Sequence, residues 1–163
     1  MTIEEVDQMD HITFFASFGD IYEHSAWVAE RSFAARPFRT LDNLCLEMQK
    51  QVEAAPPAEQ LALIRAHPDL GTRARVSASS ASEQSSAGLD QLTPEEYERL
   101  LRLNTAYKEK FAFPFIFAVS GRDKHAILAA LEQRLLSTPE EEFAEALRQI
   151  YHIARFRLEL KIG

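Results

Sequence analysis

Twice in 163 residues the chain spells the same four-residue start, Thr93-Pro94-Glu95-Glu96 and Thr138-Pro139-Glu140-Glu141. Each is a helix beginning written in side-chain chemistry. The threonine hydroxyl accepts from a backbone N–H of the first turn. The proline has no N–H to waste at the first helical position, and the acid at the third reaches back to the cap. Other starts follow the same logic: Thr2 with Glu5, Ser25, Thr40, and Asp123. Five glycines and few β-branched runs leave little material for a sheet. The reading is an all-α chain of about eight helices with short connections, forming one domain over residues 1–163.

Between the starts, apolar residues recur at helical spacing. Leu41, Leu44, Cys45, Met48 and Val52 fall on one face of a segment opened by Thr40 and closed by Pro56-Pro57. A helix from Ser25 to about Ala35 stops at Arg36-Pro37, and one from Ala58 to Ala66 stops at Pro68. The segment opened by Thr93 places Tyr97, Leu100, Leu101, Asn104, Tyr107 and Phe111 on one side. Asp123 opens a helix with Ile127, Leu128, Leu131 and Leu135 inward, and the last helix aligns Phe143, Leu147, Ile150, Tyr151, Ala154 and Leu158.

Two stretches resist this pattern. Residues 71–90 turn small and polar, with Ser77-Ala78-Ser79-Ser80-Ala81-Ser82-Glu83-Gln84-Ser85-Ser86-Ala87-Gly88 at their centre. They read either as a linker or as a helix that puts Ser80, Glu83, Gln84 and Ala87 on one face before a terminating Gly88. The run from Phe111 to Gly121 is dense in phenylalanine around Pro114, which suits a buried extended connector or a proline-interrupted helix start.

Charge and motif content narrow the function classes. The net charge of −7, with Lys and Arg scattered, lacks the basic stripe that nucleic-acid binding requires. No apolar run reaches membrane length, and the acidic N-terminus is unlike a leader, so a cytoplasmic protein is expected. The single Cys45 excludes an intramolecular disulfide or multi-thiolate metal site, and its helical apolar face marks it as buried filler. The sequence contains no glycine-rich phosphate loop, HExxH, CxxC or GxSxG.

What remains for chemistry is a small set. His67 stands at a helix end before Pro68, where the backbone would hold an imidazole in one approach. The competing reading is a histidine that only satisfies the last turn. Glu83 beside Gln84 sits among small residues that leave room for a ligand, although Ser80-x-x-Glu83 also spells a capping box. Arg155 and Arg157 flank the apolar stripe of the last helix. Either offers a fork to a carboxylate or ring carbonyl, or snorkels at the surface. Backbone N–H groups at Phe115, Ile116 and Phe117 would suit a carbonyl or ureido oxygen if the aromatic run lines a pocket, and are otherwise core. His24 and Trp27 read as structural, and His11, His125 and His152 as solvated or core.

Read in order, Tyr22-Glu23-His24-Ser25 with Trp27-Val28-Ala29-Glu30, Arg36-Pro37-Phe38, Ala66-His67-Pro68-Asp69-Leu70-Gly71, Ser80 with Glu83-Gln84, Ala87-Gly88-Leu89, Leu103-Asn104 with Tyr107, Lys110-Phe111 and Phe113 to Gly121 resemble the 2-oxo-4-hydroxy-4-carboxy-5-ureidoimidazoline (OHCU) decarboxylases of uric acid degradation. The resemblance covers essentially the whole chain. It implies a family-specific all-α fold, a homodimer, no metal or organic cofactor, and formation of (S)-allantoin. It places the catalytic pair at His67 and Glu83, and substrate contacts at Pro68, Ser80, Gln84 and Arg157. It also implies urate oxidase and hydroxyisourate hydrolase as pathway neighbours. Ala26 stands where the family often has proline, and Ala112 where it often has glycine. A hydrolase or isomerase of a related ureido-imidazole ring, using the same pair to activate water, and a non-catalytic helical interaction module remain the alternatives.

Overall fold

The computed structural model describes residues 1–71 and 77–163; residues 72–76, part of the polar 71–90 stretch, lie outside the described residues. Among the described residues there are α-helices and one 3₁₀ turn and no strand, so the all-α expectation holds. No helix is long and apolar enough to cross a membrane. By contacts the chain divides into two compact units, Met1–Ala66 with Tyr151–Gly163, and His67–Ile150.

The first unit holds α1 (Ile3–Asp7), α2 (His11–Phe18), α3 (Trp27–Ser32) running into a 3₁₀ turn (Phe33–Ala35), α4 (Leu41–Ala54), α5 (Pro57–Arg65) and the second half of α9 (Pro139–Lys161). Thr2 and Glu5 form the expected capping box, and Thr40 accepts from Asn43 N. The Thr40 helix buries Leu44, Met48 and Val52 as its spacing predicts. Phe14 packs against Phe18 and Phe38, all but excluded from solvent. Each such ring contributes about 1.5–3 kcal/mol by leaving water. The Asp7 carboxylate accepts from the N–H groups of Phe38 and Arg39 and ties α1 to the turn before α4.

One helix start differs from expectation. Ser25 does not cap α3; the cap position is Ala26, with no side-chain bond, and the α-helix ends at Ser32 rather than near Ala35. Ser25 is buried, and a buried hydroxyl takes the nearest acceptor: it donates to Glu23 O at 2.8 Å. Ala26 keeps φ −58°, a value that a proline would also adopt.

The second unit holds α6 (Ala78–Ser86), α7 (Pro94–Phe111), α8 (Lys124–Arg134) and the first half of α9. Both Thr-Pro-Glu-Glu starts form reciprocal capping boxes, Thr93 with Glu96 and Thr138 with Glu141. Hydrogen bonds from Lys124 and the Thr93 cap hold the Glu96 carboxyl down at about 2. On α7, Leu100, Asn104, Tyr107 and Phe111 are buried, whereas Tyr97 and Leu101 are exposed along a groove. Leu135 lies just past the end of α8 and is only half-buried.

The residues after α7 have no regular secondary structure and are largely buried from Phe113 to Val119. Ala112 ends α7 at φ +63°, a left-handed conformation that costs an alanine roughly 1 kcal/mol and a glycine almost nothing. A buried polar network holds the connector. Tyr107 Oη donates to Glu142 Oε1, Arg134 Nε donates to the same oxygen at 2.8 Å, and Arg134 Nη1 donates to Ile116 O. The Arg134 guanidinium also lies 4.6 Å from the Phe115 ring centroid. Burial, with the Glu142 carboxylate as acceptor, pushes the Tyr107 phenol well above its ordinary value, so it stays a donor.

Candidate active site

His67 follows the end of α5, where Ala66 N closes the last turn on Ala62 O at 2.9 Å. The imidazole is 8% exposed, Pro68 is half-buried, and Leu70 is buried. Three residues of the corner are gripped from outside. Asp69 pairs with Lys108 at 3.3 Å, Leu70 O accepts from Asn104 Nδ2 at 3.1 Å, and Gly71 N donates to Gln84 Oε1 at 2.9 Å. Gly71 has φ +77°, and a Cβ there would meet Leu100 Cδ2 at 2.5 Å, so the corner closes on α7 only with glycine.

The small polar stretch is a helix, not a linker. Ser77 caps α6 by accepting from Ser80 N at 3.0 Å, so Ser80-x-x-Glu83 is not the capping box its spelling allows. Gly88 ends the helix at φ +81°, with Leu89 N donating to Gln84 O at 3.0 Å. Ser80, Gln84 and Ala87 are buried on the predicted face, and Glu83 is half-buried beside them. The structure thus brings α6 and the His67-bearing corner together through Gln84 and Gly71. With Gln84 Oε1 accepting from Gly71 N, the amide keeps its Nε2 donors and one oxygen lone pair for a ligand.

In the connector, Phe115 and Ile116 are buried and Phe117 is half-buried. Arg134 fixes the Ile116 carbonyl, and Gln149 Oε1 accepts from Ala118 N at 3.0 Å, so the backbone of this run is oriented from both ends.

In the first unit the two arginines separate cleanly. Arg155 is exposed and pairs with Asp42 at 2.7 Å and Glu159 at 2.9 Å. Arg157 is 3% exposed, donates to Glu23 Oε2 at 2.9 Å and to Ile21 O at 3.2 Å, and is held as an oriented fork. Sequence reasoning did not assign Glu23 or Asn104. Both lie in segments that carry the family resemblance, which was the available signal. Cys45 is half-buried with its thiol pushed up by burial, the opposite of what a nucleophile needs.

A family model described as OHCU decarboxylase matches residues 7–159. The 2-oxo-4-hydroxy-4-carboxy-5-ureidoimidazoline decarboxylase of Haloferax volcanii is 45% identical over 97% of this chain and 94% of its own length. The uric acid degradation bifunctional protein PucL of Bacillus subtilis is 49% identical over 96% of this chain, which spans 32% of that longer protein. Among solved structures, (S)-allantoin synthase superimposes with a TM-score of 0.81 at 36% identity, over 99% of this chain and 54% of that one. An OHCU decarboxylase crystallised in the presence of (S)-allantoin superimposes at 0.73 with 25% identity, over 86% of this chain and 94% of that one.

Proposed function

The chain belongs to the OHCU decarboxylase family, and from that premise we propose that it is a carboxy-lyase converting 2-oxo-4-hydroxy-4-carboxy-5-ureidoimidazoline to (S)-allantoin in uric acid degradation. The reaction breaks the bond between a ring carbon and its carboxylate. The electron pair passes into the conjugated ring, CO₂ leaves, the hydroxyl on that carbon becomes a ring carbonyl, and one proton is added to one face of the neighbouring, ureido-bearing carbon. The protein must therefore hold the carboxylate out of the ring plane, stabilise negative charge as it develops, and control one proton.

The observation that carries this reading is the grip of Gln84 on Gly71, which packs the helix bearing Ser80, Glu83 and Gln84 against the corner bearing His67. In this reading Glu83 orients or deprotonates the polar groups of the substrate. His67 assists CO₂ loss and handles the proton that makes the product one enantiomer. Gln84 Nε2 and Ser80 hold the ureido arm, with Pro68 as an apolar wall. The Phe115–Phe117 backbone binds a ring or ureido oxygen. Arg157 takes the carboxylate or a ring carbonyl, a role suited to a guanidinium already oriented by Glu23 and Ile21 O. The working form is a homodimer that needs no cofactor, and enzymes acting earlier on urate supply the unstable substrate.

Freshly generated substrate is the test. Wild type is expected to release CO₂ and yield allantoin with a circular dichroism signal. His67→Ala and Glu83→Ala each lower the rate by about 10²- to 10⁴-fold. Rates near wild type in both variants sink the pair assignment. Ring opening without CO₂ from wild type sinks the decarboxylase reading in favour of a hydrolase.

A further inference from the structure

The function just described leaves Asn104 unused, yet its placement is unusual for a residue in the middle of an eighteen-residue helix. It is 6% exposed on the buried face of α7 between Leu100 and Tyr107. An asparagine is a poor helix former, and a leucine would pack the same space. Its Nδ2 donates to Leu70 O at 3.1 Å, across 34 residues of sequence. Its Oδ1 is buried with no hydrogen-bond partner among the described residues. The helix therefore sacrifices an acceptor in order to place one donor on the corner three residues beyond His67. Local rules are broken in this way where function demands it.

The corner is a chain reversal in which Asp69 also pairs with Lys108 at 3.3 Å. Gly71 sits at φ +77° against Leu100, and its N–H is taken by Gln84. Leu70 O and Gly71 N flank one peptide unit. Asn104 grips its carbonyl from α7, and Gln84 grips its N–H from α6. A peptide plane held at both ends resists rotation, and this restrains the Pro68-Asp69 segment leading back to the imidazole. We propose that Asn104 is a positioning residue for the reaction: its bond to Leu70 O fixes the peptide plane through which His67 is registered against α6. It rests on the reading of His67 as the acid–base residue, and it adds a residue that touches neither substrate nor reacting atoms.

A mispositioning of about 1 Å costs on the order of 10²-fold in rate. Asn104→Leu is therefore expected to lower kcat by about 10- to 100-fold with KM little changed, and to reduce the enantiomeric excess of the product. Leu131→Ala, a truncation in the buried face of α8, supplies the stability control: it lowers Tm while kcat measured well below Tm stays at the wild-type value.

Asn104→Asp gives a readout that packing alone would not move. Ionised, the new carboxylate repels Leu70 O; protonated, it donates again. The ratio of variant to wild-type kcat should then climb as pH falls. Asp69, Glu109, Lys108 and Tyr97 line the same groove and are present in both proteins, so the ratio isolates the introduced carboxyl. If Asn104→Leu and Asn104→Asp both keep wild-type kcat, enantiomeric excess and a flat pH ratio, with only Tm reduced, Asn104 is a packing residue and the proposal fails. A wild-type protein that releases no CO₂ would instead overturn the functional reading itself.

Discussion

Helix α6 and the Phe113–Val119 connector invert the relation between composition and regularity. The first is nine residues of mostly serine and alanine, and it is a helix. The second is among the most apolar runs in the chain, and it has no regular secondary structure. The difference lies in where the backbone hydrogen bonds go. Helix α6 satisfies its own, with Ser77 at the start and a left-handed Gly88 after the end. The connector hands its polar groups to side chains, Ile116 O to Arg134 and Ala118 N to Gln149. A buried segment needs every such group paired, and either solution serves. For a ligand site the second has an advantage, because backbone groups not tied up in a ladder can be aimed.

Breaking the side-chain support should therefore hurt the connector more than breaking a cap hurts α6. Arg134→Met leaves the buried Glu142 without its cation. A loss of about 3–5 kcal/mol in chemical denaturation is expected, the largest effect of the series. A loss under 1 kcal/mol would mean that apolar packing alone holds the run.

Tyr107→Phe removes one donor to the same carboxylate and should cost about 1.5–3 kcal/mol at neutral pH. The Tyr107 phenol is raised in the folded state above its ordinary 10.0. Its contribution is thus complete below that pH and is lost as pH climbs through the folded value. Urea midpoints of wild type and Tyr107→Phe should converge above pH 10; parallel curves would remove the phenol from the network's energetics.

Ser77→Ala is the smallest change, about 1 kcal/mol for one lost cap. Circular dichroism and Tm should shift modestly. Complete loss of CO₂ release with a normal Tm would mean that α6 depends on its cap for catalysis far more than for stability.

Much of the fold was legible because caps and prolines act within a few residues. Thr2, Thr40, Thr93, Asp123 and Thr138 all cap as their spacing predicts. Ser25 failed for a reason outside its neighbourhood, since burial turned its hydroxyl toward Glu23 O. Ser80-x-x-Glu83 misled in a similar way, because Ser77 three residues earlier claimed the cap. In the site, the residue types were legible but their partners were not. Arg155 and Arg157 flank the apolar stripe on opposite sides, with Arg157 only slightly nearer by helical angle, and it is the carboxylate of Glu23, 134 residues away, that fixes the second as the buried fork.

By itself the sequence determined the helical class, most helix starts and the family, because short-range hydrogen bonding and ordered motifs are written in neighbouring residues. Tertiary structure alone decided that the serine-rich stretch is a helix packed on the histidine corner, and that Asn104 and Gln84 hold one peptide plane from two helices. Those bonds join residues 13 and 34 positions apart, a separation at which local propensity carries no information and burial decides which polar groups must meet.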